Sequence, residues 1–165
     1  PNEPGQTFGL RRRYVALAAR FGAWTIASVH LAAFDTEAAV RKQQVAALMA
    51  WAEREHAQGQ RVVIGGDWNL RLADTHFPST TEERFLWWIY PFALDELPQG
   101  WRIAADAATP TVRTNERPYR RGENYRTVID GFIVSPDVAV EEVAGIDLDF
   151  QHSDHNPVLL RLRAQ

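Results

Sequence analysis

Apolar positions along the chain first follow a strand rhythm, then a helical one, then mostly strand again. Two runs rich in apolar and β-branched residues flank Phe21-Gly22. They predict a hairpin: one strand over 11–20, carrying Tyr14, Val15 and Leu17, and a second over 24–31. From Asp35 or Thr36 the period changes. Val45, Leu48, Met49 and Ala52 fall at i, i+3, i+4 and i+7, the apolar face of a helix running to about Gln58, with Gly59 placed to stop it. The run RVVIGG at 61–66 is continuously apolar up to its glycines, as expected of a strand covered on both faces. Thr80-x-x-Glu83 has the form of a capping box and predicts a short helix through Phe85, Leu86 and Ile89, ended by Pro91. The stretch 98–122 is rich in loop residues, with short strands expected near 101–104 and 111–113. Further strands are expected over 126–135, within 138–143 and over 157–163, the last alternating Val158, Leu160 and Leu162 with Leu159, Arg161 and Arg163. No repeat or low-complexity tract interrupts this order. It reads as one α/β domain over 11–165, preceded by a linker or cut edge at 1–10 that carries no basic or apolar leader pattern.

Composition narrows the function. The 165 residues are 45% apolar and 24% charged, an ordinary globular mix with room for one core, and no apolar run is long enough to span a membrane. Eighteen Lys and Arg stand against 21 Asp and Glu, a net charge of −3, so contact with nucleic acid has to rest on local patches. One such patch is Arg117, Arg120, Arg121 and Arg126, which is either a phosphate contact, with Arg121 the candidate, or a solvated loop. Arg11-Arg12-Arg13 reads as a charged device at a strand edge. The absence of cysteine excludes disulfides, thiolate catalysis and iron–sulfur clusters.

Titratable residues gather where strands end: Ser28-Val29-His30, Gly66-Asp67-Trp68-Asn69, Ile129-Asp130-Gly131 and Ser153-Asp154-His155-Asn156. Asp67, at the end of an apolar strand, sits where open α/β sheets bind ligands, and Asn69 faces the same way if the backbone stays extended. The plain structural alternative is an Asx-turn in which both serve local backbone. Strand phase puts Asp130 on the face of Phe132 and Val134, where a carboxylate requires a partner, and His155 is the evident one. The alternative is an edge Asp in water. His152-x-x-His155 without cysteine is weak evidence for zinc, whereas Asp67, Asn69 and Asp154 are hard oxygen donors suited to Mg²⁺ or Mn²⁺. Phe85, Trp87, Trp88, Tyr90, Phe92 and Trp101 form an aromatic cluster readable as a stacking wall or as core, with core favoured for Phe85 and Trp88. Trp68, between Asp67 and Asn69, is expected to line a substrate cleft.

Taken in order, His30, G-D-x-N, I-D-G-F-I-V-S and S-D-H-x-P-V resemble the endonuclease/exonuclease/phosphatase superfamily, the DNase-I-like fold. The resemblance spans about 11–163. It implies a four-layer α/β sandwich that hydrolyses phosphate esters with a divalent metal. By position it implies that His30 contacts the scissile phosphate or leaving oxygen, that Asp67 orients or deprotonates the attacking water and that Asn69 positions it. It further implies that Asp130 orients His155, that His155 acts as base or stabilises the phosphorane oxygens and that Asp154 holds the metal. The family's early strands carry an Asn and a metal-binding Glu that nothing before Arg11 matches. The chain is therefore expected to correspond to the C-terminal part of such a domain. A missing N-terminal half, or self-association, is then expected to cover the open face and complete the metal site. The expected activity is phosphodiester hydrolysis of the nuclease kind. The alternatives are a phosphomonoesterase acting on lipid headgroups, inositol phosphates or nucleotides, and a non-catalytic binding domain of the same fold.

Overall fold

The computed structural model describes residues 15–164. The expectations for 1–10 and for Arg11-Arg12-Arg13 lie outside them. A hairpin of β1 (Leu17–Phe21) and β2 (Trp24–His30) turns at Gly22, whose φ of 59° suits glycine. Helix α1 (Ala39–Ala57) crosses over to β3 (Arg61–Asp67), which runs parallel to β2. The main sheet has the order β1-β2-β3-β7-β4, with β4 (Arg102–Ala104) and β7 (Asp130–Val134) antiparallel to their neighbours. A two-residue ladder joins β5 (Val112–Arg113) to β6 (Arg126–Thr127), and β8 (Val138–Gly145) pairs with β9 (Val158–Ala164).

Alternation along β3 explains the layers. Val62 and Ile64, with Ala27 and Val29 of β2, pack under Val45, Leu48, Met49 and Ala52 of α1. Val63 and Val134 point the other way, with Trp24 and Phe132, onto Val138, Val140, Leu160 and Leu162 of the β8–β9 pair. The described residues thus stack a helix, a mixed sheet and a second sheet. The outer side of that second sheet, with Leu159 and Arg161 exposed, meets no further layer among the described residues.

Three sequence expectations are corrected. No helix follows Thr80-x-x-Glu83; only a 3-10 turn forms at Glu83–Phe85. The threonines serve other partners instead: Thr80 N–H donates to the Glu123 carbonyl (2.9 Å), and the Thr81 hydroxyl donates to Glu116 (2.6 Å) and accepts from the Tyr125 N–H (2.7 Å). The segment 126–135 is not one strand, because β6 pairs with β5, whereas β7 enters the main sheet, and the chain changes partner at Val128-Ile129. The first strand begins at Leu17, later than the pattern implied, with Val15 and Ala16 outside it.

α1 is entered through Asp35, as the sequence implied. Its carboxylate accepts from the Val40 N–H (2.7 Å), with a 3-10 turn at Thr36–Ala38 in between. Gly59 follows the helix with φ 84°.

Candidate active site

Strand register places the chemistry. In the antiparallel β3–β7 pair Asp67 stands directly opposite Asp130, and in the parallel β2–β3 pair His30 stands beside Asp67. The close approach that this requires depends on Gly66. Its φ is 145°, and a Cβ there would lie 2.0 Å from the Val29 carbonyl oxygen, so no other residue fits. His155 arrives from the far side: Val112 and His155 form an antiparallel bridge, and Asn156 N–H donates to the Thr111 carbonyl (2.8 Å).

The result is a short relay. His155 Nδ1 lies 2.9 Å from Asp130 Oδ2, and His155 Nε2 lies 3.9 Å from Asp67 Oδ2. His30 Nε2 is 3.5 Å from the same Asp67 oxygen. The Thr111 hydroxyl accepts from the N–H groups of both Ile129 and Asp130 at 3.0 Å, fixing the backbone that carries the dyad. Burial, with the facing charge of Asp130 added, pushes the Asp67 carboxyl up to about 6, against the Asn69 N–H, His155 and His30, which pull it down. For His155, burial lowers the pKa, but the Asp130 hydrogen bond and charge, then Asp67 and Asp154, hold it above the usual histidine value. A carboxyl whose neutral form is favoured beside a histidine whose charged form is favoured is an arrangement able to exchange a proton.

Asn69 reaches the site by a turn, not by the extended backbone the sequence implied. With φ at 50°, its N–H donates to Asp67 Oδ1 (2.8 Å), and its side-chain amide donates to Asp67 Oδ2 (3.3 Å) and to the Leu31 carbonyl (3.0 Å). The Asx-turn and the site are therefore one structure. The turn is locked from behind by Arg41, which is wholly buried. Its guanidinium donates to the Asn69 carbonyl (2.5 Å), the Trp88 carbonyl (2.8 Å) and the Asp35 carboxylate (2.6 Å).

His30, Asp67, Asn69, Asp154 and His155 line one cleft of about 620 Å³. Asp130 lies behind His155. Asp154 accepts from the Asn115 amide (2.6 Å), and Asn115 in turn accepts from Arg113. Burial alone would raise the Asp154 pKa, but Asn115, its own backbone N–H, His155 and Arg113 hold it below the usual carboxylate range, so it is ionised at neutral pH. Asp67, Asp130 and His155 offer one ligand atom each within 4.8 Å of one another, a set able to hold a metal ion only when His155 is unprotonated, which its bond to Asp130 disfavours. Asp154 and the Asn69 amide add oxygen donors to the lining of the same cleft, and oxygen donors suit a hard divalent cation.

Two sequence-derived substrate contacts are corrected. Trp68 is completely buried; its indole N–H donates to the Gly131 carbonyl (3.1 Å), and its ring packs on Phe92. The Asn69 turn aims the two polar residues into the cleft and the residue between them into the core. Arg121 does not line the cleft: it pairs with Asp147 (2.9 Å) and Asp149 (2.6 Å). His152 is exposed and also lies off the cleft. Trp88 is buried as expected, yet it and Phe85 line the cleft together with Trp87 and Phe34. Phe34, Arg113, Asn115 and Arg41 were missed. Only Arg41 left a trace in the sequence, since it sits four residues before Val45, on the apolar helix face.

The model for the Endonuclease/Exonuclease/phosphatase family matches residues 7–155. No curated protein matches the sequence. Among solved structures the chain is similar to truncated TDP2 from Caenorhabditis elegans, with TM-score 0.56 and 20% identity over 93% of this chain and 61% of that one. It is also similar to D. rerio TDP2 complexed with single-strand DNA product, with TM-score 0.58 and 15% identity over 92% and 61%. A third likeness is to the 3'-5' exonuclease NExo from Neisseria meningitidis, with TM-score 0.58 and 21% identity over 88% and 64%. The chain thus spans just over three-fifths of the first of these structures, and their likeness is one of fold, an α/β arrangement of the DNase-I-like kind.

Proposed function

The chain belongs to the endonuclease/exonuclease/phosphatase family, and from that footing we propose that it carries the acid–base half of a divalent-metal-dependent phosphodiesterase acting on nucleic acid. One observation carries the reading: Asp130 holds His155 at 2.9 Å, and His155 faces the half-buried Asp67 across 3.9 Å, at the end of a central strand. In this reading Asp67 accepts the proton of the attacking water. The Asn69 amide, fixed by Leu31 and Asp67, positions that water against phosphorus. The P–O bond to the leaving group breaks as the water oxygen bonds to phosphorus. His155, oriented by Asp130 with its charged form favoured, donates to the phosphoryl oxygens as charge builds on them, and His30 donates a proton to the leaving oxygen, which departs as an alcohol. Asp154, ionised and anchored by Asn115, is the carboxylate that would hold Mg²⁺ or Mn²⁺, with the phosphate itself completing the ligand set. Such an ion supplies charge neutralisation at the non-bridging oxygens. Nucleic acid is favoured by the aromatic wall of the cleft and by the single-strand DNA product in one similar structure.

The test is turnover on single-stranded DNA, RNA and bis-(4-nitrophenyl) phosphate, with Mg²⁺ and with EDTA, by the full-length wild-type protein and by its Asp67→Asn variant. Metal-dependent cleavage that Asp67→Asn abolishes is expected. Cleavage indifferent to EDTA, or to loss of the Asp67 carboxylate, overturns the mechanism.

A further inference from the structure

The rim of the cleft holds a feature that the proton chemistry does not use. Phe34 and Trp87 are 58% and 52% exposed, yet both line the same cleft as Asp67 and His155. Their ring centroids are 5.9 Å apart with the planes tilted by 44°, and Trp88 backs Phe34 edge-on at 5.6 Å. Phe34 holds a left-handed backbone (φ 61°), unusual for a bulky residue. The next residue, Asp35, is pinned by Arg41 and by the first turn of α1, so the strained geometry is enforced and the ring is held out over the cleft. Water-facing aromatic surface held in place in this way calls for a ligand.

We propose that Phe34 and Trp87 form a stacking subsite for an unpaired nucleobase whose phosphate occupies the cleft floor. The subsite rests on the phosphoester reading above and gives it a substrate class. The apolar lining open to solvent is aromatic apart from the small Ala33, and the larger aliphatic members Val112 and Ile129 are buried, so the wall offers flat π-surface and little grip for an acyl chain. The two rings already touch each other, so a base stacks on the solvent-facing side of the pair and is not inserted between them. Stacking needs a free base face, which a paired and stacked duplex base does not present. Arg113 and Asn115, on the same lining, supply charge and hydrogen bonds for the attached phosphate.

The experiment reads fluorescence of a single-stranded oligonucleotide carrying 2-aminopurine, in EDTA so that binding is seen without turnover. Stacking quenches this base. Quenching is expected with the wild-type protein. Phe34→Ala and Trp87→Ala are each expected to weaken binding about ten-fold and to lose the quench, and Trp87→Phe to keep most of it. Phe21→Ala, exposed on the β1–β2 hairpin, is the control and should change nothing. Circular dichroism verifies that each variant is folded. Unaltered affinity and quench in both alanine variants, no binding by the wild type, or an equal loss of affinity for an abasic oligonucleotide overturns the subsite. Ring-dependent quenching without any phosphodiester cleavage keeps the subsite and overturns the hydrolase reading; cleavage without ring-dependent quenching does the reverse.

Discussion

On the cleft floor Asp67 is hydrogen-bonded to Asn69 and Asp130 to His155, the two pairs face each other across 3.9 Å, and their side chains are largely shielded from water. On the rim, a short way off, Phe34 and Trp87 stand beside each other with half their surface in solvent. The contrast follows from what each must do. Proton transfer needs donors and acceptors fixed to tenths of an ångström and pKa values shifted by burial, and only sheet register and buried partners achieve both. Stacking is tolerant of small displacements and gains from an open face. The floor is built from strand ends, the rim from the loop after β2 and the segment before Pro91. Arg41 lies beneath both, bonded to the Asn69 carbonyl on one side and the Trp88 carbonyl on the other.

The largest expected effect isolates the floor. Asp67→Asn keeps the shape of the side chain and removes its basicity. Turnover should fall about 10³-fold, roughly 4 kcal/mol of barrier, mainly in kcat. Stability should hold or rise, because a buried charge facing Asp130 disappears. Oligonucleotide quenching should remain, since the rim is untouched. Steady-state kinetics with a thermal melt measures all of this, and a variant that loses quenching along with turnover would show that floor and rim are one unit.

Arg41→Met is the change expected to break the division. It leaves the Asp35 carboxylate and the carbonyls of Asn69 and Trp88 without their shared donor in a dry site. A loss of about 3–5 kcal/mol in urea unfolding is expected. At temperatures where the variant is still folded, turnover and base quenching should fall together. A fall in turnover alone would place Arg41 with the floor only.

pH sharpens the comparison because its effects belong to the floor. Asp67 titrates near 6 in the fold against an ordinary 3.8, so the fold favours its protonated form. The stability linked to it is fully present below about pH 4 and is lost as pH rises through about 6. His155 is also raised, from 6.5, so its contribution is present below that value and is lost at higher pH. In EDTA the wild-type protein should lose stability relative to Asp67→Asn as pH climbs from about 4 to about 7. Turnover should rise over the same window as Asp67 ionises, then fall as His155 loses its proton. Quenching by the rim should be flat throughout.

Much of the floor was legible in the sequence, because register and strand ends announce themselves. An Asp in phase with Phe132 and a D-H pair before the last strand were enough to pair Asp130 with His155, and the resemblance carried by the ordered motifs, G-D-x-N among them, added Asp67. Trp68 was misread because it was assigned to the cleft by its two polar neighbours, whereas the side that Asp67 and Asn69 share is the one the residue between them turns away from. The short helix was misread because Thr80 and Thr81 bond a loop some forty residues on, a partnership no local pattern reveals. Half of the rim was hidden for the same reason: Trp87 belongs to the aromatic cluster read as a stacking wall or core, but Phe34 lies 53 positions away and meets it only through the fold.

The smallest expected effect concerns Arg121, which the sequence placed at the substrate. Its guanidinium contacts Asp147 at 2.9 Å and Asp149 at 2.6 Å, and Tyr119 donates its hydroxyl to the same Asp149 at 3.3 Å. Two carboxylates around one cation leave the group locally acidic, a poor landing place for phosphate. All three charged side chains are substantially exposed, so their attraction is screened by water and salt. Arg121→Ala should therefore change stability by no more than about 1 kcal/mol. It should leave turnover and oligonucleotide affinity at the wild-type level at low and at moderate ionic strength. A ten-fold loss of affinity at low salt that vanishes as salt is raised would mean that substrate displaces Asp147 and Asp149 from Arg121. The binding surface would then extend beyond the cleft, from the aromatic rim to the Arg117–Arg126 loop.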